Sequence, residues 1–327
     1  MTGMPGKIFQ TAQAIIGEYY HRLQEAATPW VEKVSFYIDS DQPLDTLPFT
    51  GAVPGLELFR GARQPQGLRA KQFTIGQRLF DSTMEIPVDW LRKDKTGQIQ
   101  MRISEHARKG SAHWPSLLST LIANGETGLA YDGMYYFDTA RSWGGSGAQS
   151  NLLSIDISGL PVPTDQKGSA TDPSVGEIAK CIQAAIVAAI GFTDDRGDLF
   201  DPNPTGFLVM VPLTMLGAAN EAVTQMYIGG CMTNSFKALA DKQGFSVDVT
   251  GNPLLGWTDS FAVFNTSTDV KGLIRKGDGP DGQDIRVMAL DENSEHATLT
   301  RNCQFIMEAD REVEYGEWRS AVKVTMF

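Results

Sequence analysis

The stretch WPSLLSTLIANGETGLAYDGMYYFDTARSWGG, Trp114 to Gly145, sets the frame for the rest of the chain. Leu117, Leu118, Leu121 and Ile122 recur at helical spacing, and Asn124-Gly125 predicts a clean stop to that helix. A Tyr131-Asp132-Gly133 loop follows, then the aromatic run Tyr135-Tyr136-Phe137-Asp138-Thr139. Upstream, the helical pattern extends back to residue 98, with Met101, Ala107 and Trp114 on the same side as the leucines. Pro115 cannot donate a backbone hydrogen bond, which predicts a kink or restart at Trp114-Pro115.

The chain has 327 residues, enough for a buried core and for two or three lobes. Its 42% hydrophobic and 20% charged content is that of a globular protein. A net charge of -11 argues against a binder that works by neutralising nucleic-acid phosphates. Cys181, Cys231 and Cys303 are odd in number and widely spaced, which predicts free thiols in a reducing compartment. No signal peptide and no run of about 18 apolar residues is present, which predicts synthesis in a cytoplasm and no membrane span.

Other elements follow from periodicity. Ile8, Phe9, Ala12, Ile15, Ile16, Tyr19, Tyr20 and Leu23 form one helical stripe, which Pro29 ends. Over 56–92 a long hairpin is predicted, with Phe73 and Ile75 alternating, Gly76-Gln77 as its turn, and Met84, Ile86, Val88 and Trp90 continuing at period two. An apolar helix runs from Val175 to Ala189, a buried strand from Phe207 to Val211, and a helix from Leu213 to Met226. Phe245–Val249, Ser260–Phe264, Ile285–Met288, Cys303–Glu314 and Trp318–Thr325 read as further strands.

The usual catalytic and binding constellations are missing. Gly144-Gly145-Ser146-Gly147 lacks the lysine of a phosphate loop and the spacing of a dinucleotide fingerprint, and reads as a flexible loop. Asp194, Asp195, Asp198 and Asp201 lack the ligand order of a calcium loop. His106 and His113, seven apart, are too far apart for a helical zinc pair and have no third partner. The expectation is therefore no catalytic residue, no cofactor and no metal.

The helix with its glycine stop, the Tyr-Asp-Gly loop and the aromatic run resemble the major head subunit family of Mu-like phages and prophages. Three other segments carry the same resemblance. Phe80–Val88 is similar to an F-E-x-x-x-x-V segment, with Asp81 in place of the glutamate. Asn203–Pro212 is similar to N-P-x-x-F-L-x-x-V-P, and Tyr315-Gly316-Glu317-Trp318 to a Y-G-x-W ending. The resemblance implies an α+β fold of the Hong Kong 97 capsid type. Its parts would be an N-terminal arm (1–55), an extended hairpin loop (56–97), a peripheral domain with a long spine helix (98–145 and 285–327) and an axial domain (146–284).

It also implies a subunit that assembles with itself into pentamers and hexamers and encloses double-stranded DNA without sequence-specific binding. A separate scaffolding protein and a portal would be partners, and the product would be a virion made in a bacterial host cytoplasm. Arg60, Arg63, Arg69, Lys71 and Arg78 stand against Glu57 over 56–80, a net +4. Glu308, Asp310, Glu312, Glu314 and Glu317 stand against Arg311 over 308–317, a net -4. The expectation is that the basic hairpin of one subunit lies across the acidic strand of its neighbour. Two alternatives are a cellular compartment shell of the same fold and a soluble metal- or nucleotide-dependent enzyme using the 144–147 and 194–201 loops.

Overall fold

The computed structural model describes residues 12–25, 28–50, 70–93, 97–163, 166–228, 232–281 and 283–327. Helix α1 (Ala12–Glu25) buries Ile15, Tyr19 and Leu23, one residue per turn on a single stripe. Helix α2 (Pro29–Val34) begins on a proline, whose missing N–H is not needed in a first turn. Strands β1 (Ser35–Asp39), β2 (Leu44–Thr50), β3 (Ala70–Gly76) and β4 (Arg78–Pro87) follow, then helix α3 (Val88–Lys93).

The predicted long helix is two helices, α4 (Gln98–Ser111) and α5 (His113–Ala123), parted at Ala112. Pro115 leaves the carbonyl of Ser111 without its helical donor, which places the break there. Next come β5 (Leu152–Ile155) and α6 (Val175–Ile190), the latter opened by a capping box between Ser174 and Glu177. Strand β6 (Gly206–Val211) leads into α7 (Leu216–Thr224), the short pair β7 (Tyr227–Ile228) and β8 (Met232–Thr233), and α8 (Ser235–Gln243), which Asn234 caps. The chain ends with β9 (Ser246–Gly251), β10 (Ser260–Asn265), β11 (Leu273–Gly277), β12 (Ile285–Leu290), α9 (Glu295–Thr300), β13 (Asn302–Tyr315) and β14 (Ala321–Met326).

These strands build two five-stranded sheets. The first runs β1-β11-β13-β12, with β4 also paired to β13. Its inner face closes over α1 and α4, where Tyr19, Ile103, Ala107, Phe305 and Met307 are buried together. The second runs β5-β14-β10-β6-β9, and α6 and α7 pack with it in a larger core. Each large apolar side chain taken out of water in these cores contributes about 1.5–3 kcal/mol.

Several expectations change. Strand β3 pairs with β2, from Leu44 opposite Gly76 to Thr50 opposite Ala70, so the long hairpin starts near Leu44. Gly76-Gln77 is a corner, after which β4 joins β13, because its apolar side (Met84, Ile86) faces Phe305 and Cys303. The strand stops at Pro87 and α3 carries Trp90, so the period-two pattern ends earlier than expected. Sheet membership also crosses the expected segment limits. Strands β1, β4 and β11 belong to the first sheet, whereas β14 lies inside the second, as its nearly all-buried pattern requires. Helix α1 packs on α4 and β12 of its own chain.

Two of the three crossings between the five-stranded sheets, β10 to β11 and β13 to β14, pass through glycine, and the third runs from β4 to β5 by way of α3, α4 and α5. The N–H of Gly316 donates to the carbonyl of Gly272 at 2.9 Å, and a Cβ on Gly316 would lie 2.6 Å from the Lys271 carbonyl oxygen. Gly316→Ala is therefore expected to lower the stability of the folded chain by about 3 kcal/mol, the upper end for overpacking against backbone that cannot move. Gly217→Ala, in open space on α7, should be neutral or stabilising by up to about 1 kcal/mol. Denaturant unfolding of the two variants checks both.

Candidate subunit-contact surface

Strand β13 alternates along its length. Cys303, Phe305, Met307, Ala309 and Arg311 are buried, and the residues between them are half-buried on the opposite face. Glu308, Asp310, Glu312 and Glu314 form that outward row. The register sets Asp81 of β4 beside Glu308 and Glu85 beside Gln304, and brings Arg286 of β12 to the other side of Glu308. Six carboxylates thus share one sheet face.

Among the described residues two arginines answer them within the chain, and His296 stands 3.3 Å from Glu85. Arg78 Nε lies 2.8 Å from Glu312 Oε2, and Arg286 bonds Asp310 while standing 3.5 Å from Asp278. Arg78 is nonetheless mostly exposed at 74%. Glu314 is half-buried, and that burial pushes its carboxyl pKa upward; the Tyr315 N–H opposes this, Glu312 adds to it and Arg78 opposes it. Asp81, Glu85 and Arg286 were absent from the sequence-derived set, although the alternation of β4 placed Asp81 and Glu85 opposite Met84 and Ile86.

Glu317 does not belong to this surface. It is fully buried, 3.6 Å from Arg319 and 3.4 Å from the Tyr131 hydroxyl, and burial raises its pKa despite both arginines nearby, Arg319 and Arg141. Glu317 is odd-numbered, like the buried row and unlike the outward carboxylates, and beyond the Gly316 turn its side chain is buried. Arg311, the base set against the acidic run, also points inward. It holds Asp284 through two bonds (2.5 and 3.0 Å) and stands 4.5 Å over the Trp114 ring. Arg60, Arg63 and Arg69 lie outside the described residues, as does the side chain of Lys71 on β3. The hairpin root is tied down by Lys276, fully buried, with Nζ 2.8 Å from Asp45 and 2.6 Å from the Gln42 carbonyl.

The loops considered for catalysis have other occupations. Gly145 donates to the Asp195 carbonyl at 2.8 Å and Thr193 to the Ser146 carbonyl at 2.9 Å, so the 144–147 loop is bonded to its neighbour rather than free. Asp194 accepts from the N–H groups of Arg196 and Asp198. His106 joins Tyr19 of α1 (2.9 Å) to Ser82 of β4 (2.8 Å), and His113 packs edge-on to Phe80. Among the described residues no group of three or more His, Cys, Asp or Glu side chains is placed to hold a metal ion, and no helix is long and apolar enough to cross a membrane.

Two sheets joined by glycine crossings, a broken spine helix against the first, and a long hairpin leaving it define the Hong Kong 97-type capsid subunit fold. Solved structures carry the same fold. The bacteriophage JBD30 procapsid subunit matches with a TM-score of 0.52 at 16% identity, covering 96% of this chain and 74% of that one. The mature capsid of bacteriophage PhiM1 matches with a TM-score of 0.53 at 10% identity, covering 90% and 86%. The sequence resemblance is found as well: residues 9–159 match the Mu-like prophage major head subunit gpT family. Over 145 residues the chain is 26% identical to the major capsid protein of Escherichia phage Mu, 42% of this chain and 48% of that protein. The match spans about half the length of that curated relative.

Glu314 gives a pH-dependent prediction. Its folded-state pKa is raised, so ionisation penalises folding at neutral pH, and the penalty disappears as pH falls below the ordinary glutamate value of 4.5. Glu314→Gln should be slightly more stable than the parent chain at pH 7, with the difference vanishing in acid. Thermal unfolding across that pH range measures it.

Proposed function

We propose that the chain is the major capsid protein of a tailed phage or prophage, a structural subunit without enzymatic activity. Copies close through head-to-tail contacts into pentamers and hexamers, and these into an icosahedral head around double-stranded DNA. The supporting observation is the coincidence of a capsid fold over nearly the whole chain with a head-subunit family match across the arm, hairpin and spine helix. The peripheral domain is the first sheet with α4 and α5, the axial domain the second sheet with α6 and α7. Separate scaffolding and portal proteins complete the particle, which is made in a bacterial cytoplasm. A wall that faces packaged DNA without holding it suits a chain of net charge -11.

Between subunits, the basic hairpin of one copy crosses the acidic sheet face of the next. Arg60, Arg63, Arg69 and Lys71 supply the charge, and Glu308, Asp310, Glu312 and Glu314 receive it together with Asp81 and Glu85. Arg78 already serves Glu312 in its own chain and anchors the stem. Exposed pairs contribute only about 0–1 kcal/mol each, so they fix register, while repetition over a closed shell supplies stability.

Electron microscopy of the purified chain, alone and from cells expressing the whole structural gene set, tests the shell reading: closed shells or regular rings are expected, and monomers in both samples would refute it. Arg60→Glu combined with Arg69→Glu tests the contact separately. Folding should be unchanged and shell yield should fall at least several-fold, whereas normal shells from this variant would remove the electrostatic contact alone.

A further inference from the structure

One end of the first sheet carries an apolar pair that its own fold does not use. Strand β4 runs into α3 and α9 runs into β13, so both short helices sit at the same end, with the Val88 N–H donating to the Arg301 carbonyl at 3.0 Å. There Trp90 is 67% exposed and Leu299 77% exposed. The other tryptophans (Trp30, Trp114, Trp143, Trp257 and Trp318) are all buried or half-buried. A tryptophan left in water forfeits the largest burial gain any side chain offers, and it is among the residues that dominate interfaces when covered.

The borders of this pair carry both signs. Asp89 of α3 and Arg301 at the end of α9 stand 3.5 Å apart and are both exposed, at 53% and 79%. Glu295 lies in the first turn of α9, and Glu85 faces His296 at 3.3 Å. A surface with Trp90 and Leu299 exposed beside an exposed Asp89–Arg301 pair carries both signs of charge needed to meet a rotated copy of itself, with Arg301 exchanging its own Asp89 for the Asp89 or Glu295 of the second copy. Nucleic acid would call for a uniformly basic rim.

We infer that the α3–α9 end is a contact between copies of this chain, with Trp90 and Leu299 at its centre. The inference rests on the self-assembly reading above and names a surface distinct from the acidic sheet face.

Acrylamide quenching of tryptophan fluorescence tests it, on free subunits and on shells in which this chain is the sole coat protein. Free subunits should show a quencher-accessible component that Trp90→Phe removes and that assembly protects. Trp90→Glu with Leu299→Glu should keep the circular dichroism and thermal midpoint of the parent subunit and lower shell yield at least tenfold. Wild-type shells in which Trp90 remains as quenchable as in free subunits would overturn the contact, as would shells at normal yield from the double variant. Failure of the wild-type chain to assemble under any condition would overturn the shell reading, and the contact with it.

Discussion

Of the three passages of the chain between its sheets, the last two, β10 to β11 and β13 to β14, are bonded to each other where neither has room for a side chain. Gly316 donates to the Gly272 carbonyl, Glu317 donates to the Lys271 carbonyl at 3.0 Å, and the Tyr136 hydroxyl donates to Gly272 at 2.9 Å. A Cβ on Gly272 would sit 2.6 Å from that hydroxyl. Tyr136 stacks on Tyr315 with ring centroids 4.6 Å apart, so the aromatic run after the spine helix and the closing Tyr-Gly segment are one contact. The shared bonds and the stacked rings thus tie the two sheets to each other at one place.

Around that junction lie charges withdrawn from water. Arg141 pairs with Asp132 and stands over Trp318; Arg319 stands beside Glu317 and over Trp318. Arg311 holds Asp284 in the same way, while Arg275, itself buried, reaches the exposed Asp281 with two 2.9 Å bonds, and Trp114 lies near both guanidiniums. Burying such pairs costs as much desolvation as their attraction returns, so they are poor sources of stability. Their geometry is directional, however. Asp281 and Asp284 come from the loop before β12, and Trp114 from the start of α5, so the two arginines fix that loop and the helix break against the sheet.

Periodicity made the elements legible and left their pairing hidden. The Val175 helix, the Phe207 strand, the stop after Ala123 and the break near Pro115 follow from local spacing and one missing donor. Alternation tells which face of a strand is apolar and says nothing of which strand lies beside it. Strands β3 and β4 both alternate and are one residue apart, yet β3 pairs with β2 and β4 with β13, more than two hundred residues downstream. Glu317 shows what a charge count leaves out. Counted along the chain it extends an acidic run, but it is odd-numbered where the outward carboxylates are even-numbered, and it enters the core.

Strand β13 shows how one segment meets two demands at once. Its odd residues face α1 and α4 and close the smaller core, and its even residues carry the carboxylates outward. Because side chains alternate, charge on the even row can change without altering what the odd row packs against. Neighbouring strands follow the same division: Ile86 and Val287 face in, while Glu85 and Arg286 face out. Core and outward charge are therefore separable on the same strands, and the chemistry of the outer face is set by residues on which the chain's own core does not depend.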